Sequence, residues 1–303
     1  MNRNSVNWKG NFNAIITPFT KTGAIDEKAF VENIELLISE GIDGVVVSGC
    51  TGEFWAMTQE ERLRLFELAV KAANGKIKVI AGTADILTSV VIRLSLAAKK
   101  VGVDGVMITP PYYAMPSFRE TMEHFLKISD AVQHPILLYN IPKRQAINIT
   151  PEQITELGEK VECIVAVKQS AENFHDVAET IRLAGKNLVI FAGHSITRGF
   201  PCVAMGADGF VSSVEPQIMG DEVIKLYSLA AENRVEEAKA LQYRCIVLDN
   251  AIHGNAGTFP ASLKAAMNIM GRPGGYPREP LLEVTEDQKR YLKSVLTEIG
   301  LLK

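Results

Sequence analysis

The sequence predicts an α/β protein built as a (β/α)8 barrel (a TIM barrel) with a C-terminal helical extension. Two observations support this fold class. A glycine-aspartate pattern recurs at three junctions between a helix and a strand, and apolar runs of strand length alternate with helical stretches until eight strands are counted. Eight parallel strands are the number that closes such a barrel, and 303 residues suffice for one barrel with an appendage.

The recurring pattern is Gly-x-Asp-Gly followed by an apolar residue, at positions 41–45, 102–106 and 206–210. Its first glycine suits the left-handed position after a helix C-terminus, and its aspartate suits the turn that follows. The apolar run after it indicates a strand buried on both faces, as in a parallel sheet. Each copy therefore predicts a junction from a helix to a parallel strand.

The same alternation places the strands in order along the chain. They are expected near residues 12–17, 43–48, 77–82, 104–109, 135–140, 162–168, 188–192 and 208–213. Between them, Thr58 with Glu61 and Ser117 with Glu120 have the spacing of a helix-starting capping box. Thr150 precedes a proline in the way that caps a helix whose first residue is proline.

Helical stretches after the eighth strand exceed the single helix that the barrel needs. They are expected near residues 217–231, 234–252, 258–270 and 285–300. The sequence therefore predicts a barrel over residues 1–230 and a helical extension over residues 231–303. A doubly wound open sheet has the same alternation and stays the structural rival, although no glycine fingerprint marks its first crossover.

Composition and charge favour small-molecule chemistry. The net charge is −3 and the pI is about 6.0, without the long basic run that nucleic acid or a lipid surface attracts. The chain starts without the apolar core of a secretory signal, and no run of about 18 apolar residues follows. We expect a cytoplasmic protein with neither a nucleic-acid partner nor a membrane.

The metal-binding residue types are scattered. The four cysteines form no Cys-x-x-Cys pair and the five histidines do not cluster, so reduced thiols are expected rather than disulfides or a zinc site. The sequence also contains no P-loop and no Gly-x-Gly-x-x-Gly pattern. The sequence therefore gives no support for a protein-held metal, nucleotide or dinucleotide.

A lysine at the end of the sixth predicted strand is the main candidate for chemistry. Lys168 follows the apolar run 164–167, and in a barrel the active site lies at the C-terminal ends of the strands. An amine against such an apolar wall can lose its proton near neutral pH and attack a ketone. The alternative is a lysine whose charged end reaches solvent at the strand end.

Two other strand ends carry candidate groups. The segment Gly49–Glu53 has glycines on both sides of Cys50 and Thr51, so successive amides can form a concavity for a carboxylate. The fifth strand ends with Tyr139, which could relay protons, and Arg144 follows, which could bind a second carboxylate. Each of these residues alone could equally serve a tight turn, packing or solvation.

Together these segments resemble one family. Thr17–Phe19, Gly49–Glu53, Pro111–Tyr113, Tyr139–Pro142 and Val167–Lys168 occur in the order and spacing of the dihydrodipicolinate synthase/N-acetylneuraminate lyase family. The resemblance covers nearly the whole chain. Members of this family are class I pyruvate aldolases with a (β/α)8 barrel fold.

The resemblance implies a role for each matching residue at the reaction centre. Lys168 would form a Schiff base with pyruvate, and Tyr139 would move protons during imine formation and C–C bond making. The amides of Cys50 and Thr51 would hold the keto-acid carboxylate, and Val211 on the eighth strand would also contact substrate. No metal or cofactor is implied.

Two further roles concern the second substrate and the assembly. Arg144 matches the arginine with which the synthase branch binds the carboxylate of aspartate semialdehyde. Family members are commonly homotetramers, dimers of dimers, in which a tyrosine like Tyr113 reaches into the neighbouring site. The implied partners are thus pyruvate, a small aldehyde or deoxy keto acid, and further copies of the chain.

Two positions depart from the family pattern and keep alternatives open. Cys50 stands where members usually carry Thr or Ser, and a thiol is a weaker hydrogen-bonding group. Residues 193–195 carry His194 and no acidic residue, unlike typical sialic-acid lyases. The expected reaction condenses pyruvate with an aldehyde, or reverses this, and is most like that of dihydrodipicolinate synthase. The alternatives are a 2-keto-3-deoxy sugar acid aldolase or N-acetylneuraminate lyase-like enzyme, and a non-catalytic regulatory member that binds a keto acid.

Overall fold

The computed structural model shows a closed barrel of eight parallel strands in chain order, as the sequence predicts. It describes residues 1–193 and 195–303, apart from the side chains of residues 195–197. The strands are β1 Gly10–Ala14, β2 Gly44–Val47, β3 Lys78–Gly82, β4 Gly105–Ile108, β5 Ile136–Asn140, β6 Ile164–Gln169, β7 Val189–Gly193 and β8 Gly209–Ser212. Because β1 pairs with β8, the sheet has no free edge, and the open doubly wound sheet is excluded.

Helices follow the strands around the barrel. They are α1 Glu27–Ser39, α2 Gln59–Ala73, α3 Thr88–Val101, α4 Phe118–Val132, the short α5 Pro142–Gln145, α6 Pro151–Lys160, α7 Phe174–Ala184 and α8 Ser195–Ala204. Capping boxes at Thr58, Ser117 and Thr150 start α2, α4 and α6 at the predicted positions. Short 3-10 helices lie at Arg3–Ser5 and Phe54–Ala56.

The Gly-x-Asp-Gly junctions adopt the predicted backbone. Gly41, Gly102 and Gly206 all have left-handed φ angles, of 92°, 95° and 104°. The aspartates do more than turn the chain, because each accepts a hydrogen bond from the amide of a neighbouring strand. Asp43 accepts from Asn11 at 2.7 Å, and Asp208 accepts from Ile190 at 2.8 Å. At the remaining junction, Asp104 accepts from the Val79 amide at 2.9 Å.

Five helices follow β8: α9 Pro216–Met219, α10 Asp221–Ala231, α11 Val235–His253, α12 Ala261–Ile269 and α13 Glu286–Glu298. The expected helical stretch 217–231 is divided into α9 and α10 at Gly220, whose φ and ψ of 63° and −137° suit only glycine. The later helices share one apolar core with the barrel, in which Phe210 of β8 belongs to the same cluster as Leu241 of α11 and Leu263 of α12.

A helix that crosses a bilayer needs about 20 predominantly apolar residues. Within residues 1–193 and 195–303, no helix is both long enough and apolar enough to cross a membrane.

Candidate active site

Lys168 and Tyr139 lie side by side at the C-terminal end of the barrel. They are register partners on β6 and β5, and the lysine Nζ is 4.2 Å from the centroid of the tyrosine ring. Lys168 is only 6% exposed. Burial lowers the pKa of its amine to about 8, and the nearby Cys50 opposes this shift. A substantial fraction of this amine is therefore neutral near physiological pH.

Tyr139 remains a phenol under the same conditions. Burial raises the pKa of its hydroxyl well above the ordinary value, and Cys50 adds to that shift. The phenol is 4% exposed and faces the lysine. It is therefore a protonated hydroxyl beside a partly neutral amine, which is the pairing that imine formation requires.

A cavity of about 300 Å³ opens in front of this pair. Six residues predicted from the sequence line it together: Cys50, Thr51, Tyr139, Arg144, Lys168 and Val211. The volume is in the lower part of the range that small-molecule sites usually occupy. The arrangement can hold a keto acid with its carbonyl carbon next to the amine.

The Gly49–Glu53 loop forms one wall and is held tightly. The Thr17 hydroxyl donates to the Gly52 carbonyl at 2.8 Å, and a Cβ on Gly52 would lie 3.2 Å from the Ile15 carbonyl oxygen. Among the described residues, the amides of Cys50 and Thr51 donate to no other residue. Two amides without a partner in another residue, at the rim of a cavity, are suited to a carboxylate.

Cys50 is placed between two cavities. Besides the Lys168 cavity, it lines a smaller neighbour of about 180 Å³ together with Trp55 and Tyr112. Burial raises the pKa of its thiol, while Arg144 and Lys168 oppose that shift. The thiol is therefore neutral.

Arg144 follows β5 on the short helix α5, and its guanidinium lies 5.8 Å from the ring centroid of Trp55. It lines both cavities, so its charge is available at the outer part of the site.

Tyr113, in contrast, lies away from the site of its own chain. It is 87% exposed, has a φ angle of 67° and does not line either cavity of this chain. Its role across a subunit boundary stays a prediction.

Sequence reasoning missed five residues of the cavity wall: Ile141, Lys143, Ser213, His253 and Phe259. Ile141 and Lys143 lie between the predicted residues Tyr139 and Arg144, and Ser213 directly follows β8, so all three could have been inferred from their positions. His253 and Phe259 come from the C-terminal extension, and no local pattern signals that its helices reach the barrel mouth. The predicted position His194 lies outside the described residues.

Comparisons with known proteins agree with this geometry. The model of the dihydrodipicolinate synthetase family matches residues 7–299. The 4-hydroxy-tetrahydrodipicolinate synthase of Methanocaldococcus jannaschii is 37% identical over 295 residues, covering 97% of this chain and 100% of that protein. The enzyme of the same name from Oceanobacillus iheyensis is 37% identical over 286 residues, covering 94% of this chain and 95% of its own length.

A solved structure supports the same relationship. The crystal structure of dihydrodipicolinate synthase from Aquifex aeolicus has a TM-score of 0.91 and 33% identity, covering 97% of this chain and 99% of that one. Fold, length and sequence thus agree with the resemblance carried by the strand-end motifs, and the chain belongs to the dihydrodipicolinate synthetase family.

Proposed function

We propose that this protein is a class I pyruvate lyase or synthase that condenses pyruvate with an aldehyde, most like a 4-hydroxy-tetrahydrodipicolinate synthase. The observation that carries the proposal is the buried amine of Lys168, whose pKa of about 8 lies close to neutrality, beside the Tyr139 phenol in a small cavity. The names of the relatives from Methanocaldococcus jannaschii and Oceanobacillus iheyensis support the same reaction.

The chemistry follows from the groups in place. The neutral Lys168 amine attacks C2 of pyruvate, and the resulting carbinolamine loses water to give an iminium, with Tyr139 passing the proton that the leaving hydroxyl takes up. Tyr139, left as a phenolate by that transfer, takes a proton from C3, and the iminium accepts the electron pair of the broken C–H bond. The enamine so formed attacks the aldehyde carbon, whose oxygen takes the proton back from Tyr139. Water then hydrolyses the product iminium, which frees the Lys168 amine and returns a proton to Tyr139.

The substrate carboxylates are assigned to opposite ends of the cavity. The amides of Cys50 and Thr51 hold the pyruvate carboxylate, with Val211 packing against the keto acid. Arg144 receives a carboxylate on the aldehyde, which favours aspartate semialdehyde over an uncharged partner. None of these steps uses a metal or an organic cofactor.

The assembly and location belong to the same proposal. We infer a homotetramer in which Tyr113 enters a neighbouring site, since the residue is a large aromatic that is 87% exposed in the single chain. We also infer a cytoplasmic enzyme, in keeping with cysteines that are all free.

The test combines trapping with turnover. Pyruvate with borohydride should attach a reduced adduct to Lys168 and to no other lysine, as read by peptide mass spectrometry. Lys168→Arg keeps the charge but removes the nucleophile, so it should abolish the adduct. An adduct elsewhere, or none, would contradict the Schiff-base reaction.

Turnover then separates the candidate reactions. Consumption of pyruvate with aspartate semialdehyde is compared with release of pyruvate from a panel of 2-keto-3-deoxy sugar acids. Faster release from the sugar acids would identify the aldolase alternative. Trapping without turnover on either set would identify a non-catalytic keto-acid-binding protein.

A further inference from the structure

The C-terminal helices supply part of the wall of the Lys168 cavity. His253 is the last residue of α11, and Phe259 lies shortly before α12, yet both line the same cavity as the lysine. Their rings are stacked, with centroids 4.5 Å apart and planes at 24°. Because one ring lies flat on the other, the imidazole is held in one orientation at the cavity wall.

Asp249 holds the same imidazole from behind. It lies one turn earlier on α11, and its Oδ1 is 2.7 Å from the His253 Nδ1. The side chain of Asp249 is 16% exposed, against 33% for that of His253, so the carboxylate is the more buried partner. With Nδ1 next to this carboxylate, Nε2 is the ring nitrogen left for a ligand.

The charges around the cavity indicate what that ligand is. Of the described residues that line it, four are basic, namely Lys143, Arg144, Lys168 and His253, and none is acidic. Pyruvate brings one carboxylate, which the proposed reaction assigns to the amides of Cys50 and Thr51. The basic groups beyond Lys168 are thus left to face the second substrate.

We propose that His253, oriented by Asp249 and Phe259, is a specificity-determining residue that binds an anionic group on the aldehyde substrate. The imidazole brings a ring N–H to a cavity wall that, among the described residues, carries three other basic side chains and no acidic one. Its Nε2–H then donates a charge-assisted hydrogen bond to the substrate. This inference rests on the proposed function and extends it to a residue outside the barrel strands.

The experiment uses two aldehydes of equal chain length. Succinic semialdehyde carries a carboxylate, whereas butyraldehyde does not, and each is supplied with pyruvate to the full-length protein while pyruvate consumption is followed. Wild-type protein should prefer succinic semialdehyde. His253→Gln should lower kcat/KM for succinic semialdehyde by about 10- to 100-fold, mainly through KM, because one hydrogen bond to a charged group is lost. Its kcat/KM for butyraldehyde should stay within about twofold of wild type, because no such bond is made.

Two further variants separate recognition from structure. Asp249→Asn should shift the same selectivity in the same direction by a smaller factor, because it acts on the imidazole and not on the substrate. His134→Gln is the matched control, since His134 lies before β5 at the opposite end of the barrel and contacts the Val103 carbonyl oxygen. Its selectivity between the two aldehydes should equal that of wild type.

Pyruvate trapping distinguishes a failure of this inference from a failure of the proposed function. Pyruvate trapping on Lys168 should be equal in wild type and His253→Gln, because the residue is assigned to the second substrate. If trapping is normal but His253→Gln lowers kcat/KM equally for both aldehydes, or for neither, this inference is overturned and the Schiff-base reaction stands. The inference is also overturned if wild-type protein does not prefer succinic semialdehyde to butyraldehyde. If wild type shows no trapping, the proposed function fails and this inference fails with it.

Discussion

Two buried lysines differ mainly in what surrounds them. Lys168 is 6% exposed and Lys264 is 1% exposed, and burial lowers the pKa of both amines. Lys264 forms an ion pair with Glu53, which is itself fully buried, and donates to the Tyr276 carbonyl at 2.8 Å. Lys168 forms no ion pair within the described part of the chain. Glu53 opposes the effect of burial on the pKa of Lys264, which is still lowered to about 8, as that of Lys168 is. What separates the two lysines is therefore the carboxylate that engages the Lys264 amine and, within the described residues, has no counterpart at Lys168, whose amine faces the cavity.

The paired lysine stabilises the same loop that the unpaired lysine needs. Glu53 ends the Gly49–Glu53 loop, and its second carboxylate oxygen accepts from the Arg278 amide at 3.2 Å. Lys264 and Arg278 both lie over the Phe19 ring, at 4.4 Å and 4.1 Å from its centroid. The C-terminal helices are thus joined by charge to the wall that is proposed to hold the pyruvate carboxylate.

The largest expected effect tests this contrast through stability. Lys264→Met should lower the free energy of unfolding by about 3–5 kcal/mol, because it leaves the Glu53 carboxylate buried without its ion-pair partner. Lys168→Met removes an amine whose charged form is disfavoured by burial, so it should raise the free energy of unfolding by roughly 1–3 kcal/mol at pH 7. Urea unfolding of both variants at one fixed protein concentration measures the difference.

A double variant is the control for this comparison. Glu53→Gln combined with Lys264→Met should lose less stability than Lys264→Met alone, because the unpaired charge is gone. Equal losses from Lys264→Met and Lys168→Met would show that the two lysines do not differ in the way that their neighbours indicate.

A smaller effect concerns pH. Because burial lowers the pKa of Lys168 to about 8, the rate of pyruvate trapping should fall about tenfold for each unit of pH below 7 and level off above 8. The sign for stability follows from the same shift. The cost of burying the charged amine is fully present below pH 8 and disappears as the pH rises toward 10.5, the ordinary pKa of lysine. Between pH 8 and 10.5 the free energy of unfolding of wild type should therefore rise relative to that of Lys168→Met. A difference between the two that does not change with pH would contradict a lowered pKa for Lys168.

The smallest expected effect is that of the thiol beside Lys168. Cys50→Thr removes the group that opposes the lowering of the Lys168 pKa, so the pH midpoint of trapping should move slightly downward. A hydroxyl is the stronger donor and acceptor, so turnover of pyruvate with aspartate semialdehyde should be equal or higher. Lower turnover would show that the natural reaction uses a proton path that depends on the thiol.

The sequence predicted the part of the site that depends on local order. Lys168 and Tyr139 end apolar runs, and in a closed parallel barrel adjacent strand ends must meet, so their pairing follows from topology. The break at Gly220 was not predicted, since the apolar spacing of the neighbouring segments continues across it. The Glu53 to Lys264 pair and the wall formed by His253 were also missed, because contacts between distant segments leave no periodic signal in either one.

The ion pair between Glu53 and Lys264 joins two segments that are synthesised far apart in time. A ribosome makes the polypeptide from its N-terminus, and domains fold as units while this proceeds. The Glu53 carboxylate is synthesised early but has no buried cation beside it until residue 264 has left the exit tunnel. The wall around Lys168 is completed at nearly the same moment, when His253 and Phe259 emerge. The nascent barrel therefore completes the wall of its candidate active site only after the segment that carries His253, Phe259 and Lys264 has been made and has docked.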